Sequence, residues 1–361
     1  MTISSAFRLQ RTGRLLRNRS VLAAMTNKQS AEDGTLSDAE LQWLTRRAAG
    51  GFGIVTTAAT HVTPGGKSWS GELGVWGDHH LPGLTKLADA IRAEGAVSLA
   101  QIFHGGRRAP RQLTGQQPVS ASDVPGDDRT EDARMLTSTE VDGLVEAFVA
   151  AAVRCEQAGL DGVELHGAHG YLISQFLGTK TNRRTDRWGG DVSARAAFLQ
   201  AIVQGVRSRT GTDFLIAVRL SPELPDIGVT IEDSESVAAM LPGWGVDMVH
   251  VSCWDVTLRA KDDDQTFTHR FRAAIGPDVP LISTGGVWSR TEAQFVLDEG
   301  ADLVGVARAG IGHADWPKQL MRGVEEPSRP PFTPAHLAAE ALSPPFIEYM
   351  RRWHGFVAES A

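Results

Sequence analysis

The stretch DGVELHGAHGYLISQFLGTKTNRRTDRWGG, residues 161–190, carries the strongest structural signal in the chain. Its opening, DGVELHGA, indicates a buried strand, which ends in a turn that contains His166, His169 and Tyr171. Imidazole and phenol groups need hydrogen-bond partners when they are buried, so this cluster is poor core material. The carboxyl ends of parallel strands are, however, where α/β sheets and barrels build their sites. We therefore predict a functional site at the end of this strand.

Apolar runs alternate with helical stretches along most of the chain. The runs cover residues 21–25, 53–59, 96–104, 161–168, 215–221, 248–253, 280–287 and 303–310, with helices predicted over 38–49, 81–94 and 138–158. Strands this apolar that alternate with helices favour a parallel sheet covered by helices. Eight such units predict an α/β fold of the (β/α)8 TIM barrel type. A length of 361 residues also fits two domains, but we expect one domain over residues 1–361 with a tail from about 325.

Two insertions interrupt the alternation of strands and helices. Residues 105–137 follow the third predicted strand, and residues 254–268 follow the sixth and contain the run KDDD. Both insertions come after the carboxyl end of a strand, so both should overhang the site. Loops of this length commonly act as lids over a site.

The composition excludes several classes of protein. A net charge of −7, without a basic stripe, gives no support for nucleic-acid binding, and no apolar run is long enough to span a membrane. The chain has 2 cysteines, Cys155 and Cys253, too few for a disulfide scaffold or a four-thiolate iron–sulfur cluster. Two reduced thiols suggest a cytoplasmic protein. The arginine-rich N-terminal segment resembles a transit peptide but runs directly into the first apolar run, so we expect it to belong to the fold.

The last two predicted strands end in a pattern that indicates phosphate binding. Gly285 and Gly286 follow strand seven, and Ala307 and Arg308 follow strand eight. In barrels of this type the loops after these strands often bind phosphate through backbone N–H groups. Glycines allow the backbone to approach an anion closely, and an arginine adds a two-pronged donor. No GxGxxG sequence follows any predicted strand, which argues against a nicotinamide-binding Rossmann domain.

Other strand ends also carry polar groups. Thr26 ends the first strand, Gln101 and His104 end the third, and Arg219 lies in the fifth. An arginine inside an apolar strand is costly unless it is paired, so Arg219 should face an anion. His104 is expected to be a structural histidine with its hydrogen bonds satisfied. Together these groups predict a phosphorylated cofactor or substrate across the barrel mouth.

At this point the chain resembles the old yellow enzyme family of FMN-dependent NAD(P)H:flavin oxidoreductases and ene-reductases. The matching motifs are NR at 18–19, AMT at 24–26, GGFG at 50–53, QIFHGGR at 101–107, GVELHGAHGYL at 162–172, NRRTDRWGG at 182–190 and GVAR at 305–308. The resemblance covers residues 17–320, and the HGAHGYL segment with the box that follows it is highly specific.

The resemblance implies a role for each matching strand end, with noncovalent FMN as the cofactor. Thr26 would hydrogen-bond the flavin C4 carbonyl, Gln101 would bond the pyrimidine edge, and Arg219 would stabilise negative charge at N1 and O2 of the reduced ring. Further contacts to the cofactor would come from Ala24, Met25, Ala59, Gly285, Gly286, Ala307 and Arg308.

The resemblance also implies an activity. NADPH or NADH would reduce the flavin, and the substrate would be a small molecule with an activated alkene, such as an enone, a maleimide or a nitroalkene. His166 and His169 would donate hydrogen bonds to its carbonyl or nitro oxygen, and Tyr171 would protonate it. Lys28 stands where some bacterial relatives have a substrate-facing tyrosine, so it points either into the site or to solvent.

The C-terminal sequence Tyr349-Met350-Arg351-Arg352-Trp353 resembles the tail of one bacterial subgroup of the family. There the tail crosses to a neighbouring subunit, which implies a homodimer or homotetramer with Arg351 contacting the partner's substrate. Tyr349 and Trp353 lie one helical turn apart and could share an apolar face. The alternative is a tail folded on its own barrel, with Arg351 in solvent.

Several rival functions remain open. His166 and His169 could chelate a metal, although the HExxH pattern is absent, and we expect none. A phosphate-binding barrel without flavin, such as an aldolase, or a binding module that lacks catalysis would also fit the fold. An enzyme of the same flavin family could instead oxidise or demethylate amines, or reduce nitro-esters. Versions with a four-cysteine cluster are excluded by the cysteine count.

Overall fold

Eight buried parallel strands form the centre of the molecule in the computed structural model, which describes residues 1–128, 130–261 and 263–359. They are β1 Ser20–Leu22, β2 Ile54–Thr56, β3 Val97–Phe103, β4 Gly162–Gly167, β5 Leu215–Leu220, β6 Met248–Ser252, β7 Leu281–Thr284 and β8 Leu303–Val306. Each strand pairs with the next one along the chain, and β8 pairs with β1. The sheet is therefore closed, and the predicted (β/α)8 barrel is confirmed.

The strands are shorter than their apolar runs, because most runs continue past the point where the backbone leaves the sheet. After β7 the backbone turns away at Gly285 and Gly286, whose φ angles are 158° and 70°. After β8 the chain enters a short helix, Arg308–Gly312, without leaving the apolar sequence pattern. An apolar run shows which residues are buried, and burial continues into the turns at the barrel mouth. The run is therefore longer than the strand.

Within the described residues, seven helices of at least nine residues surround the barrel: α1 Asp38–Ala49, α2 Leu81–Ala93, α3 Ser138–Gln157, α4 Val192–Arg209, α5 Ile231–Met240, α6 Phe267–Ile275 and α7 Arg290–Asp298. Side-chain caps begin most of them. Thr137 and Glu140 form a reciprocal capping box at the start of α3, which satisfies N–H groups that have no partner inside the helix. The helices predicted over 38–49, 81–94 and 138–158 agree with α1, α2 and α3 to within one residue.

The N-terminal segment closes the amino-terminal end of the barrel. Two short strands, Phe7–Arg8 and Leu15–Leu16, pair antiparallel, and Leu9 and Leu16 join the apolar cluster inside the barrel. The segment's arginines bind the strand starts: Arg11 pairs with Asp247, and Arg14 pairs with Asp161. The arginine-rich sequence that resembled a transit peptide is thus part of the fold, as predicted.

Both insertions lie after strand ends, as predicted. The first contains a single-turn helix, Arg111–Thr114, and the short parallel pair Val119–Ser120 and Arg134–Met135. The second is two residues shorter than predicted, because α6 begins at Phe267 with Thr266 as its cap. In the KDDD run of residues 261–264, Asp262 lies outside the described residues.

The C-terminal tail folds back onto the barrel of its own chain. Helices Pro334–Ala339 and Pro344–Met350 follow a proline-rich connection. Phe346 packs edge-on against Trp43 of α1, with ring centroids 5.4 Å apart, and Arg47 donates to the carbonyl of Glu340 at 2.6 Å. The tail therefore reaches the carboxyl-terminal side of its own barrel. In the described ranges, no helix has the length and apolarity needed to cross a bilayer.

The aromatic core around Phe198 connects the outer helices to the segment that carries the site, and it gives a stability prediction. Phe198 of α4 is fully buried and contacts Phe148 of α3, Phe176 and Trp188, with centroid distances of 6.0, 4.4 and 6.4 Å. We expect Phe198→Ala to lower the free energy of unfolding by about 3–5 kcal/mol, because it leaves a cavity in this core. Denaturant titration measures the loss, and Phe198→Leu should cost less. Equal stabilities of the wild type and Phe198→Ala would contradict this packing.

Candidate active site

One cavity of about 870 Å³ opens at the carboxyl-terminal ends of the strands. It brings together all but one of the site residues predicted from the sequence, and these are Ala24, Met25, Thr26, Lys28, Ala59, Gln101, His166, His169, Tyr171, Arg219, Gly285, Gly286, Ala307 and Arg308. These residues come from strand ends up to about 280 positions apart in the chain. The barrel is the reason they meet, because it directs all eight carboxyl ends to one face.

Arg219 is the buried cation of the site. It is 4% exposed, and it donates from Nη1 to the Ala24 carbonyl at 3.2 Å and from Nη2 to Ser252 Oγ at 3.0 Å. Burial lowers the pKa of the guanidinium, while the carboxylate of Glu164 opposes that change. Its Nε has no hydrogen-bond partner within the described residues. A buried N–H without a partner at the wall of a cavity is expected to bind a ligand acceptor.

A chain of buried side chains supports Arg219 from below. Gln101 donates from Nε2 to Glu164 Oε1 at 2.7 Å, Glu164 Oε2 lies 2.6 Å from His250 Nδ1, and His250 Nε2 lies 2.6 Å from Thr284 Oγ1. Burial acts to raise the pKa of Glu164, but His250, Arg219 and Gln101 together hold it below its ordinary value. Burial lowers the pKa of His250. Glu164 is thus the anion that neutralises Arg219, and His250 is neutral.

Sequence reasoning missed Glu164 and His250. The signal was present, since each is a polar residue inside an otherwise apolar strand, in GVELHG and MVHVS.

The hydrogen bond to Glu164 fixes the amide of Gln101 with its nitrogen towards the barrel interior. Its oxygen is then an acceptor on the opposite side of the amide.

The ends of β7 and β8 form an anion cradle. A Cβ on Gly285 would lie 2.5 Å from the Cys253 carbonyl oxygen, and a Cβ on Gly305 would lie 1.6 Å from Thr284 Oγ1, so neither position admits a side chain. Ala307 precedes the helix that begins at Arg308, whose first N–H groups have no partner inside the helix. The exposed guanidinium of Arg308 has no acidic partner among the residues described. Free N–H groups, glycines and an unpaired cation are the donor set that a phosphate requires.

His166 and His169 lie side by side, with ring centroids 5.0 Å apart. Burial lowers the pKa of His166 well below the ordinary value, and the neighbouring His169 and Arg219 add to the effect. His166 Nδ1 accepts from the N–H of Ala168 at 3.4 Å, so the neutral ring carries its hydrogen on Nε2. It is therefore a single-hydrogen donor.

His169 sits in a left-handed backbone conformation with φ of 62°, and its N–H donates to Ser221 Oγ at 3.1 Å. Its Nε2 lies 2.8 Å from Ser252 Oγ. The residue as a whole is exposed, and its ring lines the cavity, where the surrounding protein and the charges of Arg219 and Arg108 lower its pKa below the ordinary value. A strained non-glycine backbone at such a position is typical of functional sites.

Tyr171 stands in an aromatic pocket at the other side of the histidines. Its ring meets Phe103 edge-on at 5.0 Å, lies 4.9 Å from the ring of His166 and 6.3 Å from that of Trp69. The guanidinium carbon of Arg108 lies 4.9 Å above its ring. Burial raises the pKa of the phenol to about 12, against the opposing charge of Arg108. The hydroxyl therefore keeps its proton at neutral pH.

The loops and the tail bring further residues to the cavity. Trp69, Arg108, Tyr349, Arg352 and Trp353 all line it. Tyr349 and Trp353 belong to the tail motif at residues 349–353, but the sequence did not mark Trp69, Arg108 or Arg352 as site residues, and only the folded loops and tail reveal them. His104, by contrast, is placed as expected: it is 4% exposed, accepts the N–H of Gly106 on Nδ1 at 3.0 Å, and its pKa is lowered by burial to about 4.

Lys28 and Arg352 line the cavity, whereas Arg351 lies outside it. Lys28 lines the cavity, with Nζ 5.4 Å from the ring centre of Tyr349, so it does not point to open solvent. Arg351 does not line the cavity of its own chain and pairs with Glu348 at 3.3 Å. Arg352 takes that place instead, because the helix ends at Met350 and the following residues turn. The prediction that Arg351 reaches the site of a neighbouring subunit stays a prediction, and within one chain the tail arginine at the cavity is Arg352.

The fold and the cavity define a parallel (β/α)8 barrel with a buried arginine, two histidines and a tyrosine at its mouth. A profile of the NADH:flavin oxidoreductase / NADH oxidase family matches residues 9–326. The chain is 39% identical over 324 residues to a probable NADH-dependent flavin oxidoreductase of Bacillus subtilis, covering 88% of this chain and 87% of that protein. The chain therefore belongs to the NADH:flavin oxidoreductase family, which is the old yellow enzyme family.

Solved structures agree with this assignment. An old yellow enzyme homologue from Zymomonas mobilis superimposes with a TM-score of 0.81 at 26% identity, over 91% of this chain and 94% of the other. Morphinone reductase in complex with tetrahydroNAD gives a TM-score of 0.81 at 27% identity, over 93% and 94% of the two chains. Longer relatives match as well: the chain spans 49% of an NADH oxidase from Thermoanaerobacter brockii at 34% identity. The protein is an NAD(P)H-dependent flavin oxidoreductase.

The state of Tyr171 can be tested directly, because the chain has 2 tyrosines. The difference in near-ultraviolet absorbance between the wild type and Tyr171→Phe isolates the phenol of Tyr171 during an alkaline titration. We expect this difference to show no tyrosinate until the pH approaches the pKa of about 12, since burial disfavours the anion. Ionisation at the ordinary pKa of about 10 would show that the phenol is solvated.

Proposed function

We propose that the protein is an FMN-dependent reductase of activated alkenes that uses NADPH or NADH as its reductant. The observation that carries this proposal is the set of three neutral donors, His166, His169 and Tyr171, in the same cavity as Arg219 and the anion cradle. The candidate substrates are enones, maleimides and nitroalkenes, whose reduction needs polarisation of an oxygen and delivery of a proton.

The cavity suits FMN in its chemistry. The cradle of Gly285, Gly286, Ala307 and Arg308 would hold one phosphate, and the unpaired Nε of Arg219 would meet the electron-rich edge of the ring. Gln101 offers an amide oxygen, and Thr26 a hydroxyl, to other polar edges of the ring. One phosphate cradle favours FMN over FAD. When bound, FMN supplies the hydride that is transferred to the β-carbon of the substrate.

His166 and His169 would bind the substrate's carbonyl or nitro oxygen. Because the pKa of each lies well below the ordinary value, both are neutral donors near neutral pH. They would stabilise negative charge as it develops on that oxygen, and Ser252 and Ser221 hold His169 in place. The buried positive charge of Arg219 acts in the same direction.

Tyr171 would give its proton to the α-carbon. Its phenol is protonated over the physiological range and faces the same cavity as the two histidines. Phe103 and Trp69 hold the ring in place and exclude water from one side. A positioned acid of this kind is needed because the α-carbon acquires electron density when the β-carbon receives hydride.

A metal-centred function has little support in the geometry. In the described part of the chain, no group of three or more His, Cys, Asp or Glu side chains converges as metal ligands would. Assembly remains a prediction: a homodimer or homotetramer, as the resemblance implies, would have to place Arg351 against a neighbouring subunit, since it lies outside the cavity of its own chain.

Replacement of Tyr171 by phenylalanine separates the two half-reactions. We expect reoxidation of the reduced enzyme by an enone to slow by roughly 10²- to 10⁴-fold, the usual contribution of a general acid. Reduction of the flavin by NADH or NADPH requires no such proton and should change little. Stopped-flow absorbance measures each step. Equal slowing of both steps would indicate a structural role for the hydroxyl.

Cofactor identity provides the other test. We expect the purified protein to release FMN, and not FAD, on denaturation. Arg308→Met should weaken rebinding of FMN to the apoprotein by roughly 10-fold or more, because a charge-assisted bond to phosphate is lost. Fluorescence titration measures the dissociation constant, and riboflavin, which has no phosphate, should bind both proteins equally. Recovery of FAD, or of a protein that binds no flavin, would contradict the proposal.

A further inference from the structure

The charged residues that line the cavity are almost all cations. They are Lys28, Arg108, Arg219, Arg308 and Arg352, against the single acid Glu223. The chain as a whole carries a net charge of −7, so this positive region is a local feature. A cavity lined by one sign of charge attracts ligands of the opposite sign.

The proposed cofactor accounts for only part of this charge. Arg308 would face the phosphate, and Arg219 would face the flavin ring. Lys28, Arg108 and Arg352 remain, and they surround the donor end of the cavity. Arg108 lies over the ring of Tyr171 and donates from Nη1 to the His169 carbonyl at 2.7 Å.

Lys28 and Arg352 share a second aromatic ring. Lys28 Nζ lies 5.4 Å, and the guanidinium carbon of Arg352 lies 5.2 Å, from the centre of the Tyr349 ring. Arg352 also donates to Tyr349 Oη at 3.4 Å. The charges of Arg108 and Arg352 both act on the Tyr171 phenol, where they oppose the increase in its pKa that burial causes. The three cations therefore belong to the end of the cavity where the substrate would bind.

These cations have no acidic partner among the described residues, unlike their neighbours in sequence. Arg107 pairs with Asp127 at 2.9 Å and Arg351 pairs with Glu348 at 3.3 Å, whereas Arg108 and Arg352 form no ion pair within the described ranges. Lys28 is held in a left-handed conformation with φ of 56°. Unpaired cations that line one cavity carry charge that no acidic side chain balances, and an anionic ligand would supply that balance.

We propose that the site selects alkenes that carry a carboxylate, held by Lys28, Arg108 and Arg352 while Tyr171 and the histidines act on the alkene. This inference rests on the proposed function and specifies its substrate class. It also disfavours the amine-oxidising alternative, because a cationic substrate would be repelled by the same three side chains. A phosphate of NAD(P)H is another anion that the cations could bind, and the rate of flavin reduction by NADH distinguishes this role from binding of a substrate carboxylate.

The test compares two maleimides that differ only in charge. Maleimidoacetate carries a carboxylate on its nitrogen substituent, and maleimidoacetamide carries the neutral amide of the same shape. We expect the FMN-loaded enzyme, reduced beforehand, to be reoxidised by the acid with a kcat/KM about 10-fold higher than by the amide at low ionic strength. The ratio should fall as salt is added, because exposed charges are screened.

Single substitutions show which side chains cause the preference for the acid. Lys28→Met and Arg352→Met should each lower the acid-to-amide ratio by roughly 3- to 5-fold, the effect of one partly exposed ion contact. Lys86→Met, which removes an exposed lysine of α2 outside the cavity, should leave the ratio at the wild-type value. Because each ratio is measured within one enzyme, a general loss of activity does not affect it.

Binding without turnover gives an independent measurement. Calorimetric titration of the oxidised enzyme with succinimidoacetate and succinimidoacetamide, the saturated products, should show the same preference for the acid. A ratio near one in the wild type, or a ratio unchanged in both variants, would overturn the inference. So would slower flavin reduction by NADH in the variants with the acid-to-amide ratio intact, because the cations would then serve the nucleotide. If neither maleimide is reduced, the proposed function fails, and the calorimetric comparison still decides the preference for anions.

Discussion

The buried positive charge of Arg219 is the constraint on which the mouth of the barrel depends. A guanidinium at this depth is costly unless its charge is balanced and its donors are used. Glu164 of β4 balances the charge, and hydrogen bonds with Gln101 and His250 hold that carboxylate in place. The Ala24 carbonyl and Ser252 Oγ accept two of the donors of Arg219, and its Nε is left for a ligand. Removing Glu164 would leave an uncompensated cation, and removing Arg219 would leave an uncompensated anion. The carboxyl-terminal end of the barrel interior is therefore polar and fixed by hydrogen bonds. The amino-terminal end is apolar and is closed by the N-terminal hairpin.

The side chains proposed to act on the substrate lie next to this polar end of the barrel, but they come from turns and loops and not from the strands. Tyr171 lies in the turn after β4, and Trp69 reaches its ring from a loop held by a buried carboxyl group. Glu72 Oε2 accepts the N–H groups of Ser68 and Trp69 at 2.9 and 3.3 Å, and Glu72 is 1% exposed. Burial raises its pKa well above the ordinary value, against these hydrogen bonds. The loop is thus anchored from inside the protein, so that the wall beside Tyr171 is as well defined as the strand ends.

Some features of the site could be predicted from the sequence because they break the apolar pattern of the strand in which they lie. Arg219 interrupts an apolar strand, and Gly285 and Gly286 break the pattern after β7; each violation has a cost that only a function or a partner offsets. Glu164 and His250 break the same pattern and could have been recognised in the same way. The tail arginine could not. The resemblance of the tail implied that Arg351 reaches a neighbouring subunit's site, whereas within one chain the helix ends at Met350 and Arg352 lines the cavity.

The sequence by itself determined the barrel, since the alternation of buried strands with amphipathic helices is a local pattern that repeats along the chain. It also determined the strand-end residues, because closure of a parallel barrel brings every carboxyl end to one face whatever the details of packing. Only the tertiary structure decided which loop and tail residues complete the cavity. Trp69, Arg108 and Arg352 reach it through irregular segments whose paths depend on long-range contacts. The charge around Tyr171 is for this reason a property of the folded chain and not of any one motif.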